Sequence, residues 1–300
     1  MLNKEVVIND FAQLKGMAKL KNDMYSPYFS SYDSVYPFTN DRLIDIFKEV
    51  DCSKGVLTVT ASGDQALMAI LNDAPYVKMF DINKLAKYFV MFKFAAIKSL
   101  SYEEFRKLYK VNIPFSNTIA GGFLSDVDVN LYNKVCSNLD LVNAYFFERL
   151  YEFMTNATPT ERFNVVNVKQ NHKLAGYLNQ TSYSILKSKL NDVKKLEFID
   201  CDIFDLKKYI DNEVYSAMIF SNISSYFDNV MLESYLTLLN SLKSNLTSNG
   251  LIQAGYGSLG KCFEIGKNRM DKRFVDAHRK YFFETKSHNK VITFYKSNKN

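Results

Sequence analysis

Four short segments carry most of the candidate chemistry in this chain: "TASGD" (60–64), "FDIN" (80–83), "DCDIFD" (200–205) and "SNISSYF" (221–227). Each follows apolar residues that read as a buried strand, and none contains Lys or Arg. The first belongs to a strand–turn–helix pattern, Val56–Thr60 then Gln65–Ile70, of the kind that opens nucleotide-binding folds. A pyrophosphate there needs two or three glycines, so that backbone can press against the phosphates. This loop has only Gly63. It is a broken cofactor site, a structural turn, or a site for a ligand without phosphates.

In open α/β sheets the ligand lies at the carboxyl ends of the strands, where these four segments should converge. A ribose, an adenine, an α-amino acid and a positive sulfur would match such small and acidic side chains, which points to S-adenosylmethionine. The candidate cofactor-binding residues are Thr60, Ser62, Gly63, Asp64, Asp81, Ile82, Asn83, Asp202, Ile203, Ser221 and Asn222. Gly63 would allow one close backbone approach, and Asp81, at a strand end, would take both ribose hydroxyls. Asp64 either accepts from the ligand's amino group or caps the helix after it. Asp202, with Ile203, would hold the adenine edge; Asp200 and Asp205 compete for that role. Asp64, Tyr226 and Tyr36 are the candidate general bases. Tyr226 either flanks the reacting group or packs in the core.

The elements that must position these residues follow from the apolar pattern. Strands are expected at 56–60, 76–81, 194–200, 214–221 and 250–257, and a closing antiparallel hairpin at 281–285 and 290–296. "INKLAKYFVMFKFAAIKSL" reads as a long buried helix with Asn83 as its N-cap, and "SYEE" at 101–104 has capping-box spacing. A helix is expected over 230–246. The fold class expected is α/β: a Rossmann-like class I methyltransferase arrangement, with a mostly parallel seven-stranded sheet and a C-terminal antiparallel hairpin. Residues 111–190, between the second and third strands, read as a helical insertion that would help to form the acceptor pocket. The division expected is an N-terminal helical and aromatic strap over 1–51, then the ligand-binding domain over 52–300. Tyr25, Tyr28, Phe29, Tyr32, Tyr36 and Phe38 form either a lid over a sulfonium or an apolar strap.

Bulk composition narrows the class. Hydrophobic residues make up 47%, enough for a real core, and Pro and Gly are too few for a low-complexity chain. Four scattered cysteines and three histidines show no zinc or disulfide spacing, so no metal is expected and a reducing, cytoplasmic setting is. The N-terminus lacks an apolar signal core, and no stretch is long enough to span a bilayer. The net charge of +6 is concentrated in residues 261–300, as a solvated face or a contact for a membrane surface. No RNA-binding motif is present, and nucleic acid is not an expected partner.

"VLTVTASGDQALMAILNDAPYVKMFDINKLAKYFVMFKFAAIKSLSYEEFRKLY", "YLNQTSYSILKSKL", "FIDCDIFDL" and "MIFSNISSYF" resemble the betaine-lipid-synthase type of S-adenosylmethionine-dependent 3-amino-3-carboxypropyl transferases. The resemblance spans roughly residues 36–255 and implies a class I methyltransferase-like fold with an S-adenosylmethionine site. Ser62, Gly63, Asp64, Asp81, Asn83, Asp202 and Asn222 match the family's cofactor motifs. Its acidic W-E-D element is represented here by "FTNDR" (38–42), and the chain has no Trp. The resemblance implies transfer of the aminocarboxypropyl arm to a lipid or small-molecule acceptor. The alternatives are methyl transfer to such an acceptor, or nucleoside or partner binding without catalysis.

Overall fold

The computed structural model describes residues 4–19, 31–39, 41–111, 128–166, 175–193, 195–256, 281–287 and 290–296. Seven strands form one sheet: β1 (Val56–Val59), β2 (Tyr76–Asp81), β3 (Lys195–Asp200), β4 (Tyr215–Ile219), β5 (Leu246–Tyr256), β6 (Phe282–Ser287) and β7 (Lys290–Lys296). Their spatial order is β3-β2-β1-β4-β5-β7-β6. Strands β1 to β5 pair in parallel, while β7 runs antiparallel to both β5 and β6. This is the Rossmann-like class I methyltransferase arrangement expected. Strand order reverses between β1 and β4, where a crevice opens at the carboxyl ends.

The helices are α1 (Lys4–Lys19), α2 (Leu43–Phe47), α3 (Asp64–Leu71), α4 (Lys84–Ser99), α5 (Tyr102–Leu108), α6 (Val129–Cys136), α7 (Leu141–Asn156), α8 (Pro159–Val165), α9 (Gln180–Asp192) and α10 (Asn229–Ser241). The central strands β1, β2 and β4 are buried on both sides, and their alternate residues feed two cores. Val56, Val77, Met79, Ala217 and Ile219 pack with α3, α4, α9 and the N-terminal helices. Leu57, Phe80, Met218 and Phe220 pack with α10 and the 3-10 turn at 203–209. Helix α4 is buried nearly all round, with Asn83 Oδ1 accepting from the Leu85 N–H at 3.1 Å. Ser101 and Glu104 form the expected capping box at the start of α5.

The N-terminal segment and the insertion pack as one helical layer. Phe11 of α1 meets Phe146 and Phe153 of α7 edge-on, each at 6.3 Å between centroids. Asn164 Nδ2 donates to the Ala18 carbonyl at 2.9 Å, and the Val35 N–H donates to the Val165 carbonyl at 2.9 Å.

The largest departure from the expected boundaries lies between α10 and β5. Helix α10 stops at Ser241, a 3-10 turn covers Leu242–Asn245, and β5 starts at Leu246 rather than 250. The cause is Asn245, which is buried and donates through Nδ2 to the carbonyls of Ile210 (2.6 Å) and Glu213 (2.9 Å). Those bonds pin the turn to the loop before β4, where a helical path would pull it away.

Among the described residues no helix is long and apolar enough to cross a membrane. Cys52, Cys136 and Cys201 are free thiols, and Cys262 lies outside the described residues. Most of the basic 261–300 stretch also lies outside them.

Candidate functional site

A cavity of about 310 Å³ sits at the carboxyl ends of β1, β2 and β4, in the size range of small-molecule sites. Residues 31–39 and 41, here called the strap, lie above these ends and are tied at several points. The Lys84 N–H donates to the Ser31 carbonyl at 3.0 Å, and Asn83 Nδ2 donates to the Asp33 carbonyl at 3.0 Å. The Thr39 N–H donates to Asp64 Oδ2 at 2.6 Å, and Ser221 Oγ donates to Asp41 Oδ2 at 2.5 Å. The strap thus runs from the end of β2 to the end of β4.

Asp81 ends β2 and lines the cavity. Its carboxylate accepts from the Ala61 N–H at 2.8 Å and the Asn83 N–H at 2.9 Å, one on each oxygen. Burial raises its pKa to about 6, against the lowering effect of those N–H groups. Two N–H bonds leave a carboxylate with further acceptor capacity, as a ribose diol requires. Asp202 follows β3, lines the cavity, and caps the 3-10 turn by accepting from the Phe204 N–H at 2.8 Å.

Of the residues singled out from sequence, Tyr36, Ser62, Asp81, Ile82, Asn83, Asp202, Ile203, Ser221, Asn222 and Tyr226 line this cavity together. Thr60, Gly63 and Asp64 do not. Thr60 is fully buried, with its N–H donating to the Phe80 carbonyl. Gly63 has φ +80, and a Cβ there would come within 2.9 Å of Val90 Cγ2. A close approach from α4 and the positive φ together favour glycine at this position.

Asp64 needs a larger correction. It is fully buried, and its carboxylate accepts from Lys93 Nζ (2.7 Å), Tyr177 Oη (2.7 Å), Ser62 Oγ (3.0 Å) and the Thr39 N–H (2.6 Å). A carboxylate with four donors has little capacity left for a ligand amine or an acceptor proton. Burial lowers the Lys93 pKa, Asp64 counters that, and the ammonium lies 4.8 Å from the centroid of Phe38. Lys93, which interrupts an otherwise apolar stretch of sequence, is explained by this pairing.

The aromatic cluster divides. Tyr25, Tyr28 and Phe29 lie outside the described residues, while Tyr32 Oη donates to Asp10 away from the cavity at 2.7 Å. Tyr36 and Phe38 line the cavity. The insertion lends no described residue to the lining; it acts at one remove, through Tyr177 on Asp64 and Val165 on the strap.

Four polar lining residues, Ser34, Thr39, Asp41 and Gln65, were not singled out from sequence. Asp41 is 5% exposed and accepts from Gln65 Nε2 at 2.9 Å as well as from Ser221. Gln65 is buried, and its Oε1 has no hydrogen-bond partner. The "FTNDR" segment was the available signal for Asp41; Gln65 gave none beyond its place after Asp64. Among the described lining residues there are three carboxylates, Asp41, Asp81 and Asp202, and no Lys or Arg. Ala61 and Ser221, at the ends of adjacent strands, hold left-handed backbone (φ 42 and 56), a strain often kept at ligand sites.

Two solved structures of the rRNA methyltransferase aviRa from Streptomyces viridochromogenes resemble the chain. One is 11% identical, over 94% of this chain and 92% of that chain, with a TM-score of 0.42. The other is 10% identical, over 95% and 92%, with a TM-score of 0.42. No family profile and no curated protein sequence matches the chain.

Proposed function

We propose that the cavity binds S-adenosylmethionine and that the protein is a transferase using it, moving the 3-amino-3-carboxypropyl group to a lipid or small-molecule acceptor. The observation that carries the binding reading is Asp81. It is a buried carboxylate at the end of β2, held by two backbone N–H groups, in a cavity whose described lining has no cationic side chain. A dinucleotide would leave its phosphates unmatched against three carboxylates. A nucleoside with a positive arm suits the same donor set: ribose at Asp81, the adenine edge near Asp202 and Ile203. The choice of the aminocarboxypropyl arm over the methyl group comes from the family resemblance of residues 36–255.

A bound sulfonium makes its attached carbons open to in-line displacement. The chain's own part is then to orient, exclude water and accept a proton. Ile203, Phe220, Ile223, Phe227 and Met231 give the cavity an apolar wall that would exclude water and suit an apolar acceptor. With Asp64 saturated, Tyr36 and Tyr226 are the earlier candidates that remain at the cavity.

The test is product identity. Purified protein, S-adenosylmethionine and an extract of source cells should yield methylthioadenosine and an acceptor heavier by the aminocarboxypropyl group. S-adenosylhomocysteine instead would make the enzyme a methyltransferase. No nucleoside product and no binding would remove the reading.

A further inference from the structure

Strand β4 ends at Ile219, yet its pairing with β5 goes on through a side chain. The Phe220 N–H still donates to the Gln253 carbonyl at 3.0 Å. The next polar pair on the chain, the N–H and carbonyl of Ser221, is held by the Gln253 amide. The Ser221 N–H donates to Oε1 at 2.7 Å, and Nε2 donates to the Ser221 carbonyl at 3.0 Å. Nε2 also donates to the Gly255 carbonyl at 3.2 Å. A primary amide offers one oxygen and two N–H donors, and all three groups of this fully buried side chain are bonded to backbone. A glutamine in the otherwise apolar run "LIQAGY" (251–256) is explained by this role.

The reason a side chain takes over lies on β5. Gln253 pairs with Phe294 of β7 and Gly255 pairs with Thr293, so Ala254 is the extra residue of a β-bulge. Its carbonyl accepts from Tyr235 Oη of α10 at 2.9 Å. Bulges re-aim a neighbouring side chain, and an amide can stand in for the peptide group that the bulge turns away. Ser221, clamped in this way, holds φ 56, a region that residues other than glycine seldom adopt. The chain leaves the sheet at this point. Asn222, Ile223, Tyr226 and Phe227 then form one wall of the cavity, with Ile223–Tyr226 as a 3-10 turn. That wall lies across β1 from Asp81 and Asp202, the residues at the ends of β2 and β3. Gln253 stands behind it and does not line the cavity itself.

We infer that Gln253 is a positioning residue of the cavity: through the Ser221 backbone it fixes the β4 wall, and with it where Asn222 and Tyr226 stand against the ligand. The part of this that concerns the ligand rests on the nucleoside reading of the cavity given above. The clamp acts on the side away from Asp81, so it governs the arm of the nucleoside and leaves the ribose end alone. Because Ser221 Oγ donates to Asp41, the same clamp also sets one anchor of the strap.

Three measurements on the full chain test this. In wild type without ligand, the Ser221 amide should exchange its hydrogen within about tenfold of the rate of the Phe220 amide, although it lies beyond the end of β4. Exchange at the rate of an open amide overturns the clamp and requires no variant that folds. Gln253→Met keeps the length of the side chain and removes its donors and acceptor. In that variant the fluorine resonance of a 3-fluorotyrosine label at Tyr226 should shift or broaden, while that of a label at Tyr88, on α4, stays in place. A role confined to stability would leave both resonances of the folded chain unchanged, and that result overturns the assignment. Calorimetric titration of Gln253→Met should then show S-adenosylmethionine affinity down by about tenfold, with adenosine affinity held to within about threefold. If both compounds bind wild type and the variant binds S-adenosylmethionine equally well, the positioning role alone fails. If wild type binds neither compound, the nucleoside reading fails and takes the ligand role of Gln253 with it.

Discussion

Asp64 and Lys93 meet 2.7 Å apart in the interior, with side chains 0% and 2% exposed, and the pair is bonded to the strap through the Thr39 N–H. Breaking one half of such a pair strands the other charge. Lys93→Met should therefore destabilise the protein by about 3–5 kcal/mol in urea unfolding. The double variant Asp64→Leu/Lys93→Met should lose clearly less than the sum of the two single losses. Strict additivity would show that the two charges do not act as a pair.

Tyr177 carries the insertion's contribution to the same carboxylate. Tyr177→Phe removes one hydroxyl donor from a buried anion and should cost about 1.5–3 kcal/mol. The cavity wall stays intact, so methylthioadenosine affinity should hold to within about threefold. A large loss of affinity with unchanged stability would mean that the insertion reaches the ligand directly.

Gly63→Ala combines a positive φ with a contact to Val90 and should cost about 1 kcal/mol or more. Adding Val90→Ala should recover part of that loss beyond additivity, because Val90 is the group in the way. If the double variant shows no recovery, the glycine is required by φ alone.

Asp81 supplies a pH signature. Its pKa of about 6 in the fold exceeds the ordinary 3.8, with burial as the largest cause. Between about pH 4 and pH 6 the folded chain keeps a proton that the unfolded chain has lost. This group's contribution to stability therefore falls as pH rises through that window, by at most roughly 3 kcal/mol, and is level above it. Nucleoside affinity should move the other way. A ribose diol needs the ionised acceptor, so binding should weaken below pH 6 by up to about tenfold per unit. Asp81→Asn should remove both trends, as unfolding and binding measured from pH 4.5 to 8 would show.

Much of the fold was legible because it rests on local signals. Short β-branched and aromatic runs such as "VLTV" and "YVKMFD", bounded by turn residues, read as buried strands, and Asn83 and Ser101 announce the starts of α4 and α5. The end of α10 was not legible, since the residue that stops it, Asn245, acts through carbonyls more than thirty positions earlier. The site divides in the same way. Asp81 follows from the strand that ends in it. Asp64, in the most suggestive loop of the sequence, turned inward because Lys93 and Tyr177 arrive from α4 and from the insertion to claim it. Asp41 takes its place at the cavity because the strap crosses to β4 and meets Ser221, a contact 180 positions away in sequence.

The central claim is that the Asp81 cavity holds S-adenosylmethionine, and calorimetric titration of that compound into wild type and Asp81→Ala tests it most directly. The account predicts saturable binding to wild type and a loss of about tenfold or more in Asp81→Ala, with its cooperative unfolding retained. No binding to wild type, or an affinity untouched by Asp81→Ala, would contradict it.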